Sequence, residues 1–238
     1  MSSYQDIIAK LLPGSSAQDP TSRPLRPLFS LPISPYKPLI PSSHITNLSL
    51  HPVLEALLHI LNLDLPSAHF LLRHMQADPA WEAMFLHGVL HRIEGDLDNT
   101  RAWYKDVGHT EVFEYVWGQD DFPGRNVEND GSGTHGLVSE QSKREDEEES
   151  KTSLALKRSS TFLDELDKAK VIVRSGRSPP DHLLEASLTE FGRVLAFCQG
   201  KFGTNTLDDA SGVWVSMAEK HAETAEKMIT GGEGWREF

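Results

Sequence analysis

His87 and His91 stand four residues apart in the chain, and Glu94 follows three residues later. On a helix of 3.6 residues per turn these offsets bring the three side chains to one face. Two imidazoles so spaced can grip one divalent cation, and a carboxylate on the next turn can be a third ligand or a general base. A facial set of two histidines and a carboxylate suits iron, zinc or manganese. Asp96 and Tyr104, on the adjoining helical arm, are candidates for groups that orient such ligands. Arg92 and His109 complete the candidate site.

The same residues also admit a packing role. Gly88 directly follows His87, where the metalloprotease signature requires glutamate. His87 is flanked by Leu86 and Val89, as a histidine buried between helices would be, and Arg92 and Glu94 can form ion pairs across a hairpin. The residues therefore leave the cofactor open, with a divalent metal as the class they could hold, and neither assign catalytic residues nor decide whether the protein is an enzyme. Seven of the eleven histidines, namely His51, His59, His69, His74, His87, His91 and His109, lie in one stretch of the chain. Other templates fail. Gly231, Gly232 and Gly234 lack the strand and helix of a phosphate loop, no Gly-x-Ser-x-Gly elbow occurs, and Cys198 lies in the apolar run VLAFC, where a buried inert thiol is expected. Ser160, after Lys157 and Arg158, reads as a helix cap or as a phosphorylation site.

The elements that must position these residues are helical. Apolar residues at helical spacing predict helices over 51–63, 66–75, 80–93, 97–107 and 111–117 in a first block, and over 160–174, 180–202 and 210–229 in a second. Pro52, Pro66 and Asp78-Pro79 supply start signals and Gly95 a stop. No alternating strand pattern competes. The fold class is all-α, a compact multi-helix bundle interrupted by a disordered acidic insertion. Four regions follow: an N-terminal helix and proline-rich arm over 1–45, a histidine-rich helical block over 46–117, an acidic disordered linker over 118–155, and a second helical block over 156–238 packed on the first. Pro32, Pro35, Pro38 and Pro41 recur every third residue, the period of polyproline II. Such an edge is either a ligand for an aromatic groove or an arm laid across the protein's own helices, and Ile33, Tyr36, Leu39 and Ile40 favour the arm. Trp81, Phe85, Trp103, Tyr104, Phe113, Tyr115 and Trp117 cluster in the hairpin and the helix after it. Most are expected in the core, and any facing His87 and His91 would wall a pocket.

Composition excludes several classes. The 238 residues carry a formal net charge of −12, against the basic footprint of a nucleic-acid binder. Residues 118–150 hold ten acids and three bases, so more than half of that excess sits in the linker. The folded remainder is only mildly acidic, and charge says little about its partner. The best apolar run, 53–65, is interrupted by Glu55, His59, Asn62 and Asp64 and is too short to cross a membrane. With no signal-peptide pattern at the start and one cysteine, a reducing cytoplasmic setting, nuclear included, is expected.

The segment from Trp81 to Val107 has a small residue where two helices touch, glycine at the turn, and Thr100 and Tyr104 on the returning helix. It resembles a tetratricopeptide-type hairpin, with Thr100 where alanine is usual and no closing proline. Solenoids of that type need about three repeats and one is visible, so a single hairpin within a bundle is expected. The run His87, His91, Arg92, Glu94, Asp96, then Asn99, Trp103, Tyr104, Gly108, His109 and Phe113, also resembles an uncharacterised family of fungal proteins with distant bacterial relatives. Those relatives carry HAxxHRREPD, NAKYWFRRVG and HPVF; this chain departs from them at His109-Thr110, where proline is expected. The resemblance implies a shared fold and residue cluster and brings no reaction. Two functional readings follow. One is a protein-interaction or scaffold role, with polar hairpin residues displayed to a protein partner. The other is an enzyme, or a metal- or ligand-binding protein, with a helical pocket built on His87, His91, Arg92 and Glu94. The oligomeric state is not legible.

Overall fold

The computed structural model describes residues 3–12, 37–119, 122–123, 140–177 and 179–215. Its elements are α1 (Tyr4–Leu11), α2 (Ser43–Thr46), α3 (Pro52–Leu61), α4 (Leu65–Arg73), α5 (Trp81–Glu94), α6 (Leu97–Val107), α7 (Glu111–Trp117), α8 (Glu140–Arg174) and α9 (Asp181–Phe202). No strand occurs among the described residues, and no helix there is long and apolar enough to cross a membrane.

Local chemistry sets the helix ends. Ser3 and Asp6 form a capping box on α1. The His51 ring accepts from Val53 N–H at the start of α3, with Pro52 in the first turn. Asp64 accepts from Ser67 N–H and opens α4, and Asp96 accepts from Asn99 N–H and opens α6. Gly95 closes α5 at φ 88°, a left-handed turn that side chains resist. One glycine and one capping aspartate thus reverse the chain between α5 and α6.

That hairpin packs tightly because Gly88 has no side chain. A Cβ there would stand 2.9 Å from Tyr104 ring carbons and 3.0 Å from Trp103 Cβ. Tyr104 instead lies against the backbone of α5, and with Phe85, Phe113 and Trp117 it forms an aromatic core joining α5, α6 and α7. Helix α3 is buried almost all round and runs through the first block, touching α1, α4, α5 and α9.

The second block closes on the first through buried polar groups. The Arg92 guanidinium, with no exposed surface, pairs with Glu190 on α9, donates to Ser187 at 3.3 Å and lies over the rings of Phe162 and Phe191. The Tyr104 hydroxyl donates to the other oxygen of Glu190. Burial works against the charge on Arg92, but Glu190 and Tyr104 raise its pKa overall, and burial next to Glu190 pushes the Tyr104 phenol well up. Both groups therefore keep their protons, and the guanidinium stays charged.

A second buried cluster joins α2, α3 and α4. The His59 ring, 1% exposed, stands 3.1 Å from Asp64 and 3.7 Å from Glu55, and Ser42 donates to Asp64. Asn62, fully buried, accepts from the N–H groups of Leu39 and Ile40 and donates to Ile40 C=O, each at 3.0 Å. The described end of the proline-rich arm, including Pro38 and Pro41, is thus tied to the protein's own helices; Pro32 and Pro35 lie outside the described residues.

Three expectations need correction. The helix expected over 160–174 starts earlier, because α8 begins at Glu140. The sequence there sets opposite charges four apart at Glu140/Arg144, Lys143/Glu147, Arg144/Glu148 and Glu147/Lys151, a spacing that supports a helix. Residues 124–139 of the acidic linker lie outside the described residues. Ser160 caps nothing, since it and the buried Ser159 fall inside α8. Residues 210–215 are not helical, because the chain leaves α9 at Gly203 and spends its backbone donors elsewhere: Leu207 N–H on Ser49 C=O and Val215 N–H on His74 C=O. The remainder of that expected helix, 216–229, and the glycines at 231–234 lie outside the described residues.

Arg92→Met leaves Glu190 buried without its cation and should cost about 3–5 kcal/mol in urea unfolding, while Arg92→Met with Glu190→Leu should recover most of the loss. Equal costs for the single and double variants would contradict the pairing. For the second cluster, burial lowers the His59 pKa but Asp64 and Glu55 outweigh it, so the folded value is raised. Burial likewise raises Asp64, but His59, Ser42 and Ser67 hold it well below the carboxylate range. The His59 contribution is complete below about pH 6.5 and fades as pH rises through its raised value; that of Asp64 is complete above about pH 4 and fades as pH falls through its depressed value. Melting curves from pH 7.5 to 9, above the range in which the depressed His51, His69 and His87 gain stability with pH, should show a decline that His59→Gln flattens. An unchanged slope in that variant would remove His59 as the cause.

Candidate functional site

Helix α5 presents two different faces. Arg92 and Gly88 turn toward the core, and His87, His91 and Glu94 turn toward α4. From α4 comes a residue absent from the expected ligand set. His69 shares a stripe with Leu65 and Leu72, four residues after the one and three before the other, and that stripe packs inward. Ring nitrogens of His69, His87 and His91, one from each, all lie within 4.8 Å of one another. The expected set of His87, His91 and Glu94 thus becomes three histidines from two helices, with Glu94 behind them.

Ring geometry fixes the cluster. His87 and His91 are near parallel, with centroids 4.9 Å apart and planes 13° apart. His69 stands edge-on to both, at 5.0 Å from His87 and 5.1 Å from His91. Trp103 of α6 stacks on the other side of His87 at 4.7 Å, the aromatic wall expected from the hairpin. Its placement follows from the Gly88 contact, which draws α6 against α5.

Glu94 sets the proton positions. Its Oε2 lies 3.0 Å from His91 Nδ1 and its Oε1 lies 3.4 Å from His69 Nε2. In a neutral imidazole a proton on one ring nitrogen leaves the other with its lone pair. Burial raises the Glu94 pKa, but His69 and His91 more than offset it and hold the carboxyl at about 2. The carboxylate stays ionised and serves the two rings. Burial depresses His69, with Glu94 opposing, and depresses His87 much further. Both rings are neutral near pH 7, the form in which imidazole binds a metal.

His87 is 4% exposed, and its Nδ1 has no hydrogen-bond partner among the described residues. A buried polar atom without a partner costs about 1–3 kcal/mol unless something satisfies it. Arg73, half-buried and one turn beyond His69, adds a positive charge that also weighs on His69 and His87.

The other expected site residues are not in this cluster. Arg92 and Tyr104 belong to the buried pair with Glu190, because their side chains leave the hairpin on its core side. Asp96 caps α6. His109 is exposed and lies edge-on to Trp81 at 5.2 Å. Cys198 is buried and burial pushes its thiol up, as expected of an inert cysteine.

Comparison with protein-family models, with curated proteins and with solved structures found no match. The site is therefore interpreted from its own geometry.

Proposed function

We propose that this protein binds a divalent transition-metal ion through His69, His87 and His91, with Glu94 as the carboxylate that orients two of the rings. The observation that carries this is the convergence of three imidazole nitrogens from two helices, two of the rings buried and His87 having an unpartnered buried nitrogen. Around a tetrahedral ion, nitrogens about 2.1 Å from the metal stand about 3.4 Å from one another. The observed upper separation of 4.8 Å needs a closure of about 1 Å, within reach of side-chain rotation. Three imidazole ligands favour zinc, copper, nickel or iron over magnesium or calcium, which prefer oxygen. Three protein ligands leave a coordination position open, the arrangement of metal centres that bind or activate a further ligand. A scaffold role would instead need the polar hairpin residues on display, and His87 and Arg92 are 4% and 0% exposed.

The test is metal analysis of tag-free protein after incubation with zinc or cobalt and desalting, together with melting curves. About one equivalent is expected, with a rise in melting temperature. His69→Ala or His87→Ala should abolish binding while keeping the helical circular-dichroism spectrum, and Glu94→Gln should weaken it about 10- to 100-fold. Less than about a tenth of an equivalent with unchanged melting would overturn the proposal.

A further inference from the structure

We infer that residues 216–229 form an amphipathic helix that docks on the outward face of α4, over Phe70 and beside Trp214. Residues 216–238 lie outside the described ones; their sequence and the described surface where the chain reaches them carry this.

Helix α4 turns His69 and Leu72 inward. Its other side carries Pro66 and Phe70, four residues apart and both exposed, followed by half-buried His74 at the helix end. Phe70 is 65% exposed and Trp214 is 41% exposed. The His74 ring lies by both, its centroid 5.0 Å from that of Phe70 and 5.8 Å from that of Trp214. Its Nδ1 stands 2.7 Å from Phe70 C=O, and since a carbonyl can only accept, that nitrogen donates and the ring is fixed. Two exposed aromatic side chains are thus held on one imidazole, an outward apolar patch of the kind that marks a contact site.

The chain brings its own occupant to that patch. Val215 N–H donates to His74 C=O at 3.0 Å, so residue 216 starts at the C-terminal end of α4. From there the sequence carries the signals of one helix. Ser216 and Glu219 have the spacing of a capping box, and Gly231 and Gly232 supply a stop. On a helical wheel Met217, Ala218, Ala225, Met228 and Ile229 fall within an arc of about 120°, with His221 among them. Glu219, Lys220, Glu223, Glu226 and Lys227 fall on the opposite side.

Length and tether favour this occupant. A helix over 216–229 rises about 21 Å, enough to run back along the 9 residues of α4 from His74 to Pro66. Methionine adapts to irregular aromatic surfaces and makes favourable sulfur contacts with ring edges, which suits Met217 and Met228 to Phe70. A segment tethered at the patch meets it at an effective concentration on the order of millimolar, ahead of a second copy of the chain. Docking packs α4 on both sides, with α3 and α5 within and this segment outside, and so steadies the helix that carries His69.

Hydrogen exchange of the full chain, read by mass spectrometry on peptides from 216–229, tests the docking. A lone helix of this length is marginal in water, so slow exchange there requires a surface. The expected result is exchange at least about tenfold slower than in the same sequence as a free peptide, and unchanged on dilution of the protein. In Phe70→Asp that protection is lost while α5 keeps its own, because a side chain so exposed supports no core. Met217→Asp removes the contact from the other side. An acid in the first turn favours a helix, so lost protection in that variant reports lost docking and not lost propensity. If Phe70→Asp also loosens α5, Met217→Asp decides. Exchange at the free-peptide rate in the unmodified chain, or protection that survives either variant, overturns the inference. Protection that disappears on dilution assigns the face to a second copy and overturns it as well.

Discussion

The buried pairing of Arg92 with Glu190 is the constraint on which the rest of the molecule depends. A guanidinium with no exposed surface has lost its water and must recover that loss from protein groups. Glu190, Ser187 and two aromatic rings supply them, and all but Phe162 come from α9. The pair therefore fixes how α5 is rotated about its own axis. With Arg92 held toward α8 and α9, the opposite side of the helix faces α4, and that side carries His87, His91 and Glu94. Tyr104 strengthens the same constraint, donating to Glu190 from α6.

Rotation alone does not build a site, and close approach does the remainder. Gly88 lets Tyr104 and Trp103 come against the backbone of α5, which sets Trp103 on the face of His87. On the other side α4 contributes His69 from a stripe otherwise occupied by leucines. Its start is held by Asp64, itself gripped by His59 and Ser42, so the cluster at α2 and α3 also sets the position of His69. Three rings, one carboxylate and an indole meet because three helices are each fixed by a different polar contact.

Much of this was legible in the sequence where the determinants are local. The bounds of α6 and α7 follow directly from helical spacing and caps, and the shared face of His87, His91 and Glu94 follows from offsets of four and three. What was not legible depends on partners far along the chain. Arg92 and Tyr104 looked like members of the site because their common partner, Glu190, is 98 and 86 residues away. His69 was counted among the clustered histidines but not chosen, since nothing local shows that α4 lies against α5. Its place in the Leu65 and Leu72 stripe was the available signal, as a histidine on an apolar stripe must find a polar partner inside. Glu94, expected as a third ligand or a general base, lies 3.0 Å from His91 and 3.4 Å from His69.

The central claim is that three imidazoles from two helices form one metal centre, and X-ray absorption at the zinc edge of the loaded full chain tests it most directly. The account predicts a low-coordinate shell of nitrogen or oxygen atoms at about 2.0–2.1 Å, with outer-shell scattering from about three imidazole rings that drops to about two in His69→Gln. A six-coordinate shell of oxygens, or a spectrum with no imidazole scattering and no change in His69→Gln, would contradict it.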